Sequence, residues 1–201
     1  MDGFARRKEQ SKEDIRMAAW ELFSQFGVDK VSMTDVARKA GVSQATIYNN
    51  FGSKEALARE FVTTMVESLV SRVQEIVVSE HTYREKMTAF FQFISAMMRG
   101  GKPSPSGSAI FTSSLDLQND PEIKEIRMKA QEKMITLLFG LIEEGRQQGQ
   151  VDAEPSEAAL RIYFTVFMDA FTHGEFQYEY SRNPHLVDEL GALMMYGLKG
   201  N

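Results

Sequence analysis

From Ile15 onward apolar residues return at helical spacing, with Ile15, Ala18, Ala19, Leu22, Phe23 and Phe26 at i, i+3, i+4, i+7, i+8 and i+11. They form one stripe of an amphipathic helix whose polar positions face the other way. Ser11 with Asp14 supplies a capping-box variant that predicts the start, and Gly27 suits the left-handed position that ends a helix. Ser32 and Asp35 repeat the cap ahead of Val36, Ala37 and Ala40, so a short second helix is expected to stop at Gly41. Ser43 then caps a third, in which Ile47 and Phe51 lie four apart and face the first two. Ser53, followed by Lys54 and Glu55, opens a fourth that the pattern carries to about Glu80.

Further helices are expected over 83–99, 108–117, 121–148, 155–180 and 184–198. No alternating strand pattern competes, so the fold class is all-α. Pro121, Pro155 and Pro184 open three of these, at the first helical position where the missing N–H costs nothing. The stretch GGKPSPSG, residues 100–107, is the clear loop signal.

The C-terminal helices are apolar around more of their circumference. In LRIYFTVFMDAF, Leu160 to Phe171, nearly every position is apolar, which a single core-facing stripe does not explain. The last helix has Leu186, Val187, Leu190, Leu193, Met194 and Leu198 in phase, with Gly191 and Ala192 leaving room for close helix approach. These patterns predict that the last two helices of each subunit pack on their symmetry mates as an isologous four-helix interface.

Composition narrows the compartment and the chemistry. Cysteine is absent from the 201 residues, which excludes disulfides and thiolate sites and is simplest in a reducing cytoplasm. The N-terminal segment is charged and no apolar run reaches the ~18 residues of a span, so no membrane partner is expected. The net charge of −5 is unevenly placed. Residues 1–60 carry ten Lys+Arg against nine Asp+Glu, and residues 61–201 carry 13 against 19. The acid therefore lies in the C-terminal part, which leaves the N-terminal part free to meet a polyanion.

Three blocks near the N-terminus resemble the tetracycline-repressor-like (TetR) transcriptional regulators: AAWELFSQFG, then SMTDVARKAGVSQATIYNNF, then SKEAL. The resemblance implies an N-terminal helix-turn-helix domain over residues 1–53 and a C-terminal effector-binding and dimerisation domain over 54–201. In such a motif the second helix enters the major groove and its N-terminal residues meet base edges. The resemblance carries Gln44, Ala45 and Thr46 over as base contacts and Tyr48, Asn50 and Lys54 as phosphate contacts. Asn49 lies on the same face as the base contacts. Ser32, Thr34 and Ser43, at the starts of the two helices, join the DNA-binding set. The chain departs from the family pattern at Asn49 and Asn50, where an aromatic or basic residue followed by His or Tyr is common.

Gln pairs with adenine N6 and N7, and the Thr methyl meets the thymine methyl, so A·T pairs are expected opposite Gln44 and Thr46. Positive charge must come from outside the reading helix. Arg6, Arg7 and Lys8 are expected as an arm ahead of the first helix, and Arg38, Lys39 and Lys54 as a basic rim. Met33, Ile47 and Phe51, by their period, are core.

The family resemblance further implies an effector cavity in the C-terminal part. Its apolar candidates are Phe90, Phe93, Ile94, Met97, Phe111, Met134, Leu138, Phe164, Phe167, Met168 and Phe171, since Met and aromatic side chains line adaptable pockets. Most of these must also be core. Arg127, Arg161, His173 and Glu175 are the polar anchors to place. The three histidines, His81, His173 and His185, have no partner at metal-ligand spacing, so neither a metal nor another cofactor is expected. No nucleophile elbow, phosphate loop or His-Glu metal motif appears, so an enzyme is not expected.

The reading is a homodimeric, ligand-responsive regulator, a repressor that leaves a palindromic operator when a small, largely apolar effector binds. A helical binding or scaffold protein without DNA readout is the alternative. It would account for the C-terminal bundle but not for the capped helix-turn-helix.

Overall fold

The computed structural model describes residues 3–98, 119–151, 155–172, 179, 182, 183 and 185–197, some of them by their backbone alone. Among the described residues eight helices carry the fold: α1 Gly3–Phe26, α2 Met33–Ala40, α3 Gln44–Phe51, α4 Lys54–Val78, α5 Tyr83–Met98, α6 Pro121–Gln147, α7 Glu157–Thr172 and α8 Leu186–Gly197. There is no strand among the described residues, and no helix there is long and apolar enough to cross a membrane. The helix expected over 108–117 and the loop over 100–107 lie outside the described residues.

The described chain forms two compact units, one of residues 3–65 with 119–126 and the other of 66–98, 127–151, 155–172 and 185–197. The boundary expected at 53/54 stands at the start of α4, whereas compactness divides the chain inside α4, after Met65. The first turns of α4 belong to the N-terminal unit because Leu57, Ala58, Phe61, Val62 and Met65 are buried in it.

In that unit α1 buries Ile15, Ala18, Ala19 and Phe23, and the Phe23 ring meets Phe61 edge to face at 5.4 Å. Two details differ from the sequence expectation. Phe26 is 48% exposed, because Gly27 (φ +80) ends the helix there and turns the chain away. The helix also begins at Gly3 rather than near Ser11, so Arg6, Arg7 and Lys8 are helical and do not form a free arm. Ala, Arg, Lys, Glu and Gln all have high helix propensity, which extends α1 where no apolar period announces it. Arg16 Nε donates to Glu60 Oε1 at 2.5 Å, tying α1 to α4. Arg59 donates to Asp120 at 2.9 Å, and Asp120 in turn accepts the N–H groups of Glu122 and Ile123 as the cap of α6.

The second unit has an apolar core of its own. Val70 and Val73 of α4, Met87, Phe90 and Ile94 of α5, Leu138, Leu141 and Ile142 of α6, and Leu160 and Phe164 of α7 form one buried cluster. Fully burying a side chain such as Phe164 contributes roughly 1.5–3 kcal/mol. Lys86, only 6% exposed, is held by both carboxylate oxygens of Glu144, at 3.0 and 2.8 Å.

The close approach expected at Gly191 occurs within the chain: a Cβ there would stand 2.8 Å from the Phe91 ring of α5. The proline rule holds at α6, which Asp120 caps ahead of Pro121. It fails at α7, where the Ser156 hydroxyl accepts from the Ala159 N–H and Pro155 stands before the cap. Pro184 lies outside the described residues.

Candidate nucleic-acid interface

Each end of α2 and α3 is fixed by a residue suited to it. Ser32 accepts the Asp35 N–H while Asp35 accepts the Ser32 N–H at 3.1 Å, a complete capping box. The Ser32 hydroxyl, which donates to Asp35 Oδ2, the Ser32 N–H and the charge of Arg38 hold the Asp35 carboxyl below its ordinary 3.8. Gly41 adopts φ +67, the left-handed conformation that lets the chain leave α2 and turn into α3, and Val42 N–H closes the turn on the Ala37 carbonyl. Ser43 caps α3 by accepting the Thr46 N–H at 3.1 Å. Buried Met33, Val36 and Ala37 on α2 and Ile47 on α3 pin both helices, with contacts running among α1, α2 and α3.

Because Ile47 points inward, the opposite face of α3 is free, and Gln44, Ala45, Tyr48 and Asn49 are all exposed on it. Tyr48 keeps 47% of its surface accessible although it is a large ring, which no packing requirement explains. Thr46 is half-buried, its hydroxyl 2.9 Å from that of Ser43. Gln44 donates its amide to the Thr34 hydroxyl, joining the start of α3 to the first turn of α2. Asn50 donates to the Thr46 carbonyl at 2.8 Å and so lies along its own helix. Ser53 caps α4 through the Ala56 N–H, and Lys54 is half-buried at its first turn.

The surrounding charges are mostly paired. Arg38 faces Asp35 at 3.3 Å, and Lys39 reaches Glu21 of α1 at 2.5 Å. Exposed pairs of this kind are worth little in water, so a phosphate can compete for either cation. Arg16 stands 6.0 Å from the centre of the Phe51 ring and is already bound to Glu60, which raises its guanidinium pKa above the usual value. The pairs Arg16–Glu60, Arg59–Asp120 and Lys86–Glu144 join residues 44 to 61 positions apart. No local pattern in the sequence marks them.

The residues expected around an effector lie in the second unit. Phe90, Ile94, Met134, Leu138, Phe164 and Phe167 are members of its buried cluster, with Phe93 packed on the edge. Arg127 is partly buried, which lowers its guanidinium pKa. Arg161 is at the surface, 5.4 Å over the Phe139 ring and 3.5 Å from Glu157. Met97, Met168 and Phe171 are on described helices, but their side chains, together with Phe111, His173 and Glu175, lie outside the described residues. No group of three metal-ligating side chains occurs among the described residues.

Residues 15–61, from the middle of α1 into α4, match the family model for bacterial regulatory proteins of the tetR family. The HTH-type transcriptional regulator YhgD of Bacillus subtilis is 25% identical over 191 residues, spanning 94% of this chain and 95% of YhgD. Among solved structures, reduced NemR of E. coli superposes with a TM-score of 0.73 at 18% identity, covering 94% of this chain and 96% of NemR. The regulator FadR of Bacillus subtilis, solved in complex with stearoyl-CoA, gives 0.63 at 19% identity over 94% of this chain and all of FadR. With its capped helix-turn-helix inside the matched segment, the chain carries over residues 15–61 the DNA-binding region of the tetR family of bacterial regulatory proteins and is a DNA-binding transcriptional regulator.

Proposed function

We propose that this regulator is a cytoplasmic, homodimeric repressor whose α3 reads a palindromic operator and whose C-terminal unit takes a small, largely apolar effector. The observation that carries the reading is the outward face of α3, where Gln44, Ala45, Tyr48 and Asn49 stand exposed on a helix whose start is fixed by Ser43. Gln44 and Ala45 meet base edges with Thr46, and Tyr48, Asn50 and Lys54 meet phosphates. Ser32, Thr34 and Ser43 fix the register. Sites selected from a random DNA library carry A·T pairs opposite Gln44 and Thr46; G·C there overturns the assignment.

Dimerisation is supported by α7 and α8, which leave Ile162, Val166 and Leu193 each about two-thirds exposed in the single chain. Ile162 and Val166 lie one turn apart, opposite the buried Leu160 and Phe164. Stearoyl-CoA in the FadR complex is consistent with an apolar ligand beside the Phe90 and Phe164 cluster. Because α4 runs through both units, an effector that favours a shifted α4 changes the separation of the two α3 helices from the ~34–36 Å that successive major grooves require. A coupling of ~1–3 kcal/mol weakens DNA binding about 5- to 150-fold, and operator DNA weakens effector binding by the same factor.

The test is operator binding by the Tyr48→Ala, Lys54→Ala double variant. It loses the operator while keeping its circular dichroism and its dimer mass. In the parent, six to ten phosphate contacts make affinity fall roughly 10³- to 10⁵-fold between about 50 and 200 mM salt. A flat salt response, or full binding by the double variant, overturns the reading.

A further inference from the structure

A cleft is built into the DNA-binding unit itself. Beside its core face, α1 carries another, along which Glu13, Met17, Trp20 and Ser24 follow one another by three or four residues. Leu57, Glu60, Phe61 and Thr64 form the matching face of α4. Between them lies a cleft of about 540 Å³, within the range of small-molecule sites. Its floor is aromatic, with the Trp20 and Phe61 rings edge to face at 5.2 Å. Met17 on its wall is 56% exposed, and the buried Ser24 hydroxyl there has no hydrogen-bond partner among the described residues.

Charge decides the ligand class. Among the described residues lining the cleft Arg16 is the one cation, and three carboxylates surround it: Glu60 at 2.5 Å, Glu13 at 3.4 Å and Glu9 at 3.7 Å. One guanidinium cannot neutralise three carboxylates, so surplus negative charge stands beside an aromatic floor. That is the arrangement that favours an organic cation, whose charge meets both the ring faces and the carboxylates. An anionic amphiphile, by contrast, meets repulsion at the same rim.

We propose that the α1–α4 cleft binds a lipophilic organic monocation, an apolar body bearing a single ammonium or amidinium group. This site shares no residue with the effector site proposed above and stands or falls without it. Its occupant touches the Arg16–Glu60 tie, and Arg16 also lies against Phe51 at the end of α3, so binding reaches the reading helix by a short path.

Trp20 is the only tryptophan in the chain, so its fluorescence reports on the cleft directly. The full-length protein is titrated with 1-adamantylammonium, with neutral 1-adamantanol and with adamantane-1-carboxylate, three probes of one shape. The cation gives a saturable change and binds about 5- to 30-fold more tightly than the alcohol, and the carboxylate binds least. Glu13→Gln weakens the cation about two- to fivefold. Met17→Arg, which sets a second guanidinium among the carboxylates, abolishes binding, and circular dichroism checks that both variants remain folded. Equal affinity for amine and alcohol, no saturable change, or undiminished binding by the folded variants overturns the proposal. If Met17→Arg fails to fold, Glu13→Gln at its exposed position decides alone.

Discussion

The two units reach order by different means. The N-terminal unit adds directional chemistry to its buried core of Ile15, Phe23, Val36 and Ile47: a Ser at the start of each of α2, α3 and α4, and a glycine at the end of α1, α2 and α3, held at φ +80, +67 and +80. The second unit relies on volume, with one cluster of close-packed Val, Ile, Leu, Met and Phe that many exchanges of similar size would preserve. Caps specify where a helix begins to within a residue, which a surface that must match DNA requires. Volume specifies only that the interior be filled, which leaves room for a ligand class to change without loss of the fold.

The comparison can be broken at the second unit first. Phe164→Ala removes a ring with no solvent exposure and is expected to cost about 3–5 kcal/mol, read as an earlier denaturation midpoint. A cost below about 1 kcal/mol would mean that the cluster is loosely packed. In the reading unit the turn between α2 and α3 offers a smaller and more specific effect. Gly41→Ala forces a side chain into a left-handed backbone at a cost of about 1–2 kcal/mol, although there is open space around its Cβ. The loss should appear in operator affinity as well as in melting, because the turn aims α3; a variant that melts lower yet binds normally would separate turn strain from reading.

Acid sharpens the contrast least but most selectively. The Asp35 carboxyl titrates below its ordinary 3.8 when folded, so the stability that it contributes is complete above that value and is lost as pH falls through the lower folded value. Burial alone would raise the carboxyl of Asp120. The Ile123 N–H, Arg59 and the Glu122 N–H outweigh it and leave the carboxyl lowered, so Asp120 adds to the same loss. Melting curves taken down to about pH 3 should show a decline that Asp35→Asn reduces. An unchanged decline in that variant would remove the capping box from the account.

How much of this was legible follows the same division. Ser32, Asp35, Gly41 and Ser43 act within four residues of their targets, so the sequence displays them, and the helices they bound appear where expected. The start of α1 was missed because propensity without apolar period leaves no stripe to follow. The period alone places Phe26 in the apolar stripe, whereas at the end of α1, beside the turn at Gly27, it is exposed. On α3 the residues counted along the chain are exposed at Gln44, Ala45 and Asn49, while Thr46 is half-buried beside Ser43. The α1–α4 cleft and its carboxylates were invisible, since Glu60 meets Arg16 across 44 residues and only folding reveals the neighbour.

The close seat of the Phe91 ring over Gly191 also bears on inheritance. A methyl group added at position 191 collides with the body of that ring, so Gly191→Ala alone is disfavoured, while Gly191→Ala with Phe91→Leu restores the space. Along any line of descent that keeps α5 against α8, the two positions should trade volume together, so change at one is a record of change at the other.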